Sequence, residues 1–179
     1  MKRMWVILAL SCCLAHAEEI AGWRVLTGTW ESTSKNKAIV FHGPFGRILF
    51  PKSLSNFTLS FKLFLDQFED DKASFIIIWA MKEGEGEESY ERLQFAIKSK
   101  LVFVNEGKGA DKWEELKRVS FSIPTKRWVT VQMRCKGKGA LVQVGSEKFE
   151  LKELPRSEGY VALSFGGTSG SLRDLKMSE

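Results

Sequence analysis

Polar side chains at alternate positions, interleaved with aromatic rings, are the chemistry this chain offers. Arg92 and Gln94 stand two apart in Tyr90-Glu91-Arg92-Leu93-Gln94-Phe95. Thr130, Gln132 and Arg134 do the same after Trp128, and Ser60 and Lys62 after Phe57. Residues two apart share one face of a strand. A face with guanidinium and amide groups beside aromatic rings suits oxygen-rich ligands, because rings stack and donors reach hydroxyls. Of the six tryptophans, Trp79 lies in a segment apolar on both faces, so it either fills the core or lines a binding face. Trp113 sits among Asp111, Lys112, Glu114 and Glu115, the most exposed setting of the six. The ligand-binding candidates are therefore Trp79, Arg92, Gln94, Trp113, Gln132 and Arg134. Outward polar residues are also what any antiparallel sheet presents to water. The set gains meaning only if its strands lie side by side.

Carboxylates and histidine offer less. Glycoside hydrolysis takes two carboxylates roughly 5–10 Å apart, yet Glu91 and Asp174 are each the lone acid of their strand. His42 alone supports neither a Ser-His-Asp set nor a zinc site. No catalytic residue and no firm metal ligand is assigned. Asp66, Asp70 and Asp71 form the best hard-cation candidate, since calcium takes about six to eight oxygens. An acidic turn is more often an ordinary solvated loop. Calcium is the one cofactor the sequence offers. Asn56-Phe57-Thr58 is a glycosylation sequon that matters in a eukaryotic source.

The N-terminus reads as a signal peptide over residues 1–17. Lys2 and Arg3 precede an apolar run, and Ala15-His16-Ala17 provides a cleavage site. The run is shorter than the about 20 residues that span a bilayer. Cys12, after Ala9-Leu10-Ser11, offers lipidation as an alternative. The expected location is extracellular or periplasmic, with no membrane span. Removing 17 of 179 residues leaves 162, enough for one domain over 18–179 with one substantial core. The remaining 25 basic and 22 acidic residues leave about +3, too weak and scattered to argue for nucleic acid. Cys12 and Cys13 leave with the leader, so Cys135 can form no intrachain disulfide. Parity groups Cys135 with Val129, Val131 and Met133 as a small buried residue. A reactive thiol or an interchain bridge is the alternative.

The elements that would position these groups are strands. Phe57, Leu59, Phe61, Leu63 and Leu65 alternate with Thr58, Ser60, Lys62 and Phe64, the mark of a half-buried strand. Ala73 to Met81 is apolar on both faces, as in a strand covered on both sides. Glu91 to Lys98 and Leu101 to Asn105 read as a hairpin. Gly107 to Lys117 reads as a polar loop, followed by a short strand from Val119 to Ile123. Trp23 to Glu31, Ala38 to Phe41 and Arg47 to Phe50 read as three short strands. Arg127 to Arg134, Ala140 to Val144, Glu147 to Leu151, Gly159 to Gly166 and Leu172 to Met177 complete the series.

The order of these pieces resembles the concanavalin A-like superfamily, in particular its laminin-G-like and 3-keto-disaccharide hydrolase-type domains. The resemblance rests on Gly22-Trp23-Arg24-Val25 with Gly28-Thr29-Trp30-Glu31, on Asn56 to Phe61, and on Tyr90 to Phe95. It continues through Arg127-Trp128-Val129-Thr130-Val131 and the closing Gly159 to Leu163 and Leu172 to Leu175. It implies an all-β, two-sheet antiparallel jelly-roll sandwich of about a dozen strands, one sheet concave. It also implies that Trp23, Trp30 and Trp128 are packing residues. Members bind sugars, bind proteins or hydrolyse glycosides, and fold alone does not choose among these. The Glu-x-Asp-x-x-Glu motif of the superfamily's glucanases is absent. The expected function is a secreted, non-catalytic module that recognises a carbohydrate or an extracellular protein on the concave sheet and its loops. The alternatives are a glycan-active hydrolase of the 3-keto-disaccharide type and a structural interaction module of laminin-G-like type.

Overall fold

A computed structural model describes residues 18–33, 37–69, 71–82, 90–98, 100–107, 112–155 and 158–179. The expected signal peptide, Cys12, Asp70 and Asp111 lie outside the described residues. Among those described, every regular element is a strand. In chain order these are β1 (Glu19–Ile20), β2 (Trp23–Thr33), β3 (Ala38–Leu49), β4 (Phe57–Phe68), β5 (Ser74–Met81), β6 (Glu91–Ala96) and β7 (Leu101–Gly107). Then follow β8 (Trp113–Ser120), β9 (Val129–Lys136), β10 (Gly139–Val144), β11 (Glu147–Leu151), β12 (Tyr160–Gly166) and β13 (Thr168–Ser178).

The strands run in the order β11-β10-β9-β4-β13-β3-β12-β5-β6-β7-β8, with β2 added on β3 and β1 on β2. The pivot is β3. Its first half pairs with β13, through Ile39, Val40 and Phe41, and its second half pairs with β12, from Phe45 to Leu49. One strand thus belongs to two sheets, and the antiparallel ribbon folds over on itself. The turn residues Gly43 and Pro44 lie at the changeover, where Gly43 takes φ 114 and the Pro44 carbonyl accepts a hydrogen bond from Gly167 N. They make a corner inside one strand, so the two short strands expected on either side of His42 are continuous.

Parity decides what the layers enclose. Phe57, Leu59, Phe61, Leu63 and Leu65 of β4 are buried, as are Val129, Val131, Met133 and Cys135 of β9. From the second sheet come Ile48, Leu163, Phe75, Ile77, Leu93, Phe95 and Val104. Ring contacts bridge the layers: Phe61 of β4 meets Phe75 of β5 at 5.7 Å, and Phe41 stacks on Phe165 at 5.0 Å. Trp23 and Trp30 are each 2% exposed, the framework role expected of them. Trp128 is not. It is 37% exposed, packs on Phe64 at 5.5 Å and lies under the Arg173 guanidinium. The correction follows from parity, because the inward Val129 leaves its predecessor facing out.

The segment expected as a polar loop ending at Lys117 is largely strand. Trp113 to Ser120 form β8, paired along β7 with one register shift at Val104/Asn105. As the last strand of its sheet, β8 carries charge, which disfavours pairing with another chain.

Candidate functional site

The outer face of the second sheet carries an apolar cluster of its own. In β5, Ile77 and Phe75 point to the main core, while Ile76 and Ile78 point the other way. There they bury with Leu49, Ala162 and Tyr90, and Met81, Trp113 and Tyr160 pack against them. This apolar floor explains why β5 lacks a polar face.

Polar groups continue the floor sideways. The register carries one row from Arg24 through Leu49, Ala162 and Ile78 to Arg92, Asn105 and Glu115. The adjoining row runs from Arg47 through Ser164, Ile76, Gln94 and Phe103 to Arg118. Four guanidiniums therefore share one face with Tyr90, Trp113 and Phe103. Tyr90 backs onto Gly107 by a 2.9 Å backbone hydrogen bond, and Gly107 pairs with Trp113. Glycine puts no side chain between the two rings, whose centroids are 5.2 Å apart at an interplanar angle of 57°.

The arginines differ in setting. Arg92 lies over Trp113, 3.6 Å from the ring centroid. Burial pulls its pKa below the ordinary guanidinium value; the Tyr90 hydroxyl offsets part of this, and the neighbouring Arg47 charge adds to the lowering. Arg92 remains a cation, as guanidiniums do in proteins. Its Nε is buried and makes no hydrogen bond among the described residues, and the same is true of Arg24 Nε. Arg47 is 5% exposed, donates from Nη2 to the Tyr90 hydroxyl at 3.4 Å, and lies over the rings of Phe45 and Tyr90. Ser164 beside it donates to the Gly46 carbonyl at 2.9 Å. Arg118 is exposed and held by Glu115 through two carboxylate oxygens, at 3.0 Å and 2.7 Å. That contact raises its pKa. The face can donate hydrogen bonds, stack rings and attract negative charge.

The sequence-derived candidates divide. Arg92, Gln94 and Trp113 meet on this face, although Trp113 is half-buried against Tyr90 and Arg92 rather than the exposed ring expected. Trp79 does not reach it. Trp79 has the parity of Ile77, is 2% exposed and belongs to the main core. Gln132 and Arg134 lie on β9 in the first sheet, beside Ser60 and Thr58 of β4. They face outward from the other side of the sandwich and do not join Arg92. An open cleft of about 500 Å³ also lies on that side, lined in part by Trp128, Thr130 and Glu147. It brings together fewer cations and rings than the second sheet does.

Arg24, Arg47, Tyr90, Asn105 and Arg118 join this face without being among the sequence-derived candidates. The signal for Tyr90 is its place in the period-two series Tyr90, Arg92, Gln94. Arg47 signals itself as a single charge entering the apolar run Ile48-Leu49-Phe50. Asn105 and Arg118 needed the strand register.

The calcium candidates are not assembled among the described residues. Asp71 is 94% exposed and pairs with Lys98 at 2.9 Å, and Asp66 is exposed on β4. No group of three or more metal-ligating side chains occurs among the described residues. Asn56 is exposed at the start of β4, where its Oδ1 accepts from Gly137 N.

No family model and no curated protein sequence matches this chain. Solved structures do. A carbohydrate-binding module, CBM66 from Bacillus subtilis, superposes with TM-score 0.73 at 13% identity, covering 89% of this chain and 97% of that one. The shared fold is an antiparallel β-sandwich of the jelly-roll type. The Emp46p carbohydrate recognition domain superposes with TM-score 0.70 at 11% identity, covering 89% and 88% of the two chains. The VIP36 exoplasmic/lumenal domain, solved with Ca2+ and Man3GlcNAc, gives 0.64 at 11% identity over 90% and 84%. The jelly roll expected from the sequence is thus the observed architecture, in thirteen strands among the described residues. No helix among the described residues is long and apolar enough to cross a membrane.

Proposed function

We propose that this protein is a secreted glycan-binding module, a single domain over residues 18–179, that recognises its ligand on the outer face of the second sheet. The observation that carries the reading is the half-buried Trp113 with Arg92 over its ring and Gln94 in the adjoining row, set on a buried base of Tyr90, Arg47 and Asn105. Aromatic rings set beside fixed donors bind sugar rings through their apolar faces and their hydroxyls together. The carbohydrate-binding modules and lectins with which the chain superposes support the same reading. A binding role, rather than catalysis, is supported by the acids of the face. Among the described residues the two rows contain one carboxylate, Glu115, and it is engaged by Arg118. The signal-peptide pattern supports export.

A glycan array probed with the wild-type protein and with Arg92→Ala and Trp113→Ala tests the proposal. Both variants are expected to lose array signal by about tenfold or more. Wild-type signal in both, with folded protein confirmed by circular dichroism, would sink the site assignment.

A further inference from the structure

We infer that the ligand of this face is an anionic saccharide, one whose sugar rings carry carboxylate or sulfate groups. The inference rests on the glycan-binding reading above and deepens it.

The first observation is the charge count of the face. Arg24, Arg47, Arg92 and Arg118 lie in two adjoining rows. The same rows hold one acid among the described residues, Glu115. This imbalance is local: the mature chain as a whole carries only about three net positive charges by its sequence. The second observation is burial. Arg47 is 5% exposed and Arg92 is half-buried. Two cations brought near each other on an apolar floor of Leu49, Ile76, Ile78 and Ala162 are desolvated at a cost in folding stability. An anion arriving there would meet guanidiniums in a low-dielectric setting, where opposite charges attract most strongly.

The third observation is the type of cation. All four are arginines, although the chain has many lysines. Arginine offers a planar fork that matches a carboxylate or sulfate by paired hydrogen bonds, whereas lysine offers a point charge. The Nε groups of Arg24 and Arg92 make no hydrogen bond among the described residues. The rings complete the specification. Trp113, half-buried above the buried Tyr90, provides an aromatic surface for a pyranose, which a simple anion would not need.

Four soluble polymers test this by calorimetric titration of the folded protein. Polygalacturonate is paired with its fully methyl-esterified form, and dextran sulfate with dextran. At least one charged polymer is expected to bind tenfold or more tightly than its neutral counterpart. The two charged arms tell carboxylate from sulfate. Binding is expected to weaken as salt is raised. Arg92→Gln should lose tenfold or more toward the charged polymer, while Lys138→Gln, on an exposed turn elsewhere, should change it less than twofold. Arg24→Gln provides the same test should Arg92→Gln fail to fold. Equal binding of charged and neutral polymers would overturn the inference and leave glycan binding standing. Equal losses in the Arg92 and Lys138 variants would overturn it too, as diffuse attraction to a basic protein. Binding of none of the four would overturn both readings.

Discussion

The Arg92 guanidinium sits 3.6 Å from the centroid of Trp113, so a cation of β6 is capped by a ring of β8 across the intervening strand. The contact spans β7 because Gly107, the residue paired with Trp113, has no side chain to obstruct it. This single relationship ties the polar row of the second sheet to its edge strand. It also couples the site to the stability of that edge.

A double-mutant cycle measures the coupling. Arg92→Ala and Trp113→Ala should each destabilise the fold. Trp113→Ala should cost about 1–3 kcal/mol, less than a fully buried tryptophan because the ring is only half-buried. The interaction energy from urea unfolding should be about 1 kcal/mol, as for a partly desolvated cation over an indole. Strict additivity of the two changes would show that the stacking is incidental.

The corner of β2 and β3 supplies a second expectation. Gly28 has φ 81, and a Cβ placed there would overlap Gly46 Cα and the Phe45 carbonyl oxygen. Both neighbours are backbone, and the Phe165 ring fills the space where a Gly46 side chain would stand, so little can yield. Gly28→Ala should destabilise by about 2 kcal/mol or more, from left-handed strain and overlap together. Because Phe45 and Arg47 flank the contact, glycan binding should weaken in the same variant. A melting temperature within a degree of wild type would contradict this account of the corner.

Alternation made much of this fold legible. The residues of β4 and β9 face as their period of two requires, and the doubly apolar β5 is indeed covered on both sides. The same doubly apolar pattern is why Trp79 could not be placed: with no polar face, parity had no outside to refer to. Gln132 and Arg134 were correctly read as outward, but alternation says nothing about which strands become neighbours. The crossing from β8 to β9 puts them on the other sheet. Trp113 reads as a loop residue in the sequence because an exposed edge strand rich in Glu, Lys and Arg lacks the half-buried pattern. His42-Gly43-Pro44 looked like a break because a strand that changes sheets needs turn residues in its middle.

Glu115 holds Arg118 through both of its carboxylate oxygens and, among the described residues, is the one acid of the two rows. Glu115→Gln would release Arg118 while keeping nearly the same shape. If the face takes anionic saccharides, affinity for a charged polymer should rise about two- to fivefold, mainly through faster association at low salt. Affinity for a neutral glycan should not change. Stability should be little affected, because both side chains are largely in water. A fall in charged-polymer affinity would mean that Glu115 itself contacts the ligand or positions Arg118 for it.

The first sheet offers a pH-dependent element independent of the site. Lys62 of β4 and Asp174 of β13 pair at 2.9 Å, and this hydrogen bond, reinforced by the lysine charge, holds the Asp174 carboxyl below its ordinary pKa. Asp174 and Leu175 lie where β13 shifts register against β4, and Asp174 takes φ 53. A carboxyl whose folded pKa is lowered stabilises the fold above its unfolded pKa. That stability is lost as pH falls through the lowered folded value. Asp174→Asn keeps a residue that tolerates left-handed backbone but removes the charge. Its melting temperature should lie slightly below wild type at neutral pH, and the two should converge as the wild-type carboxyl is protonated in acid. The neutral-pH gap should also shrink in high salt, since the pair is exposed. A gap that persists unchanged into acid would assign the cost to the backbone of the bulge rather than to the ion pair.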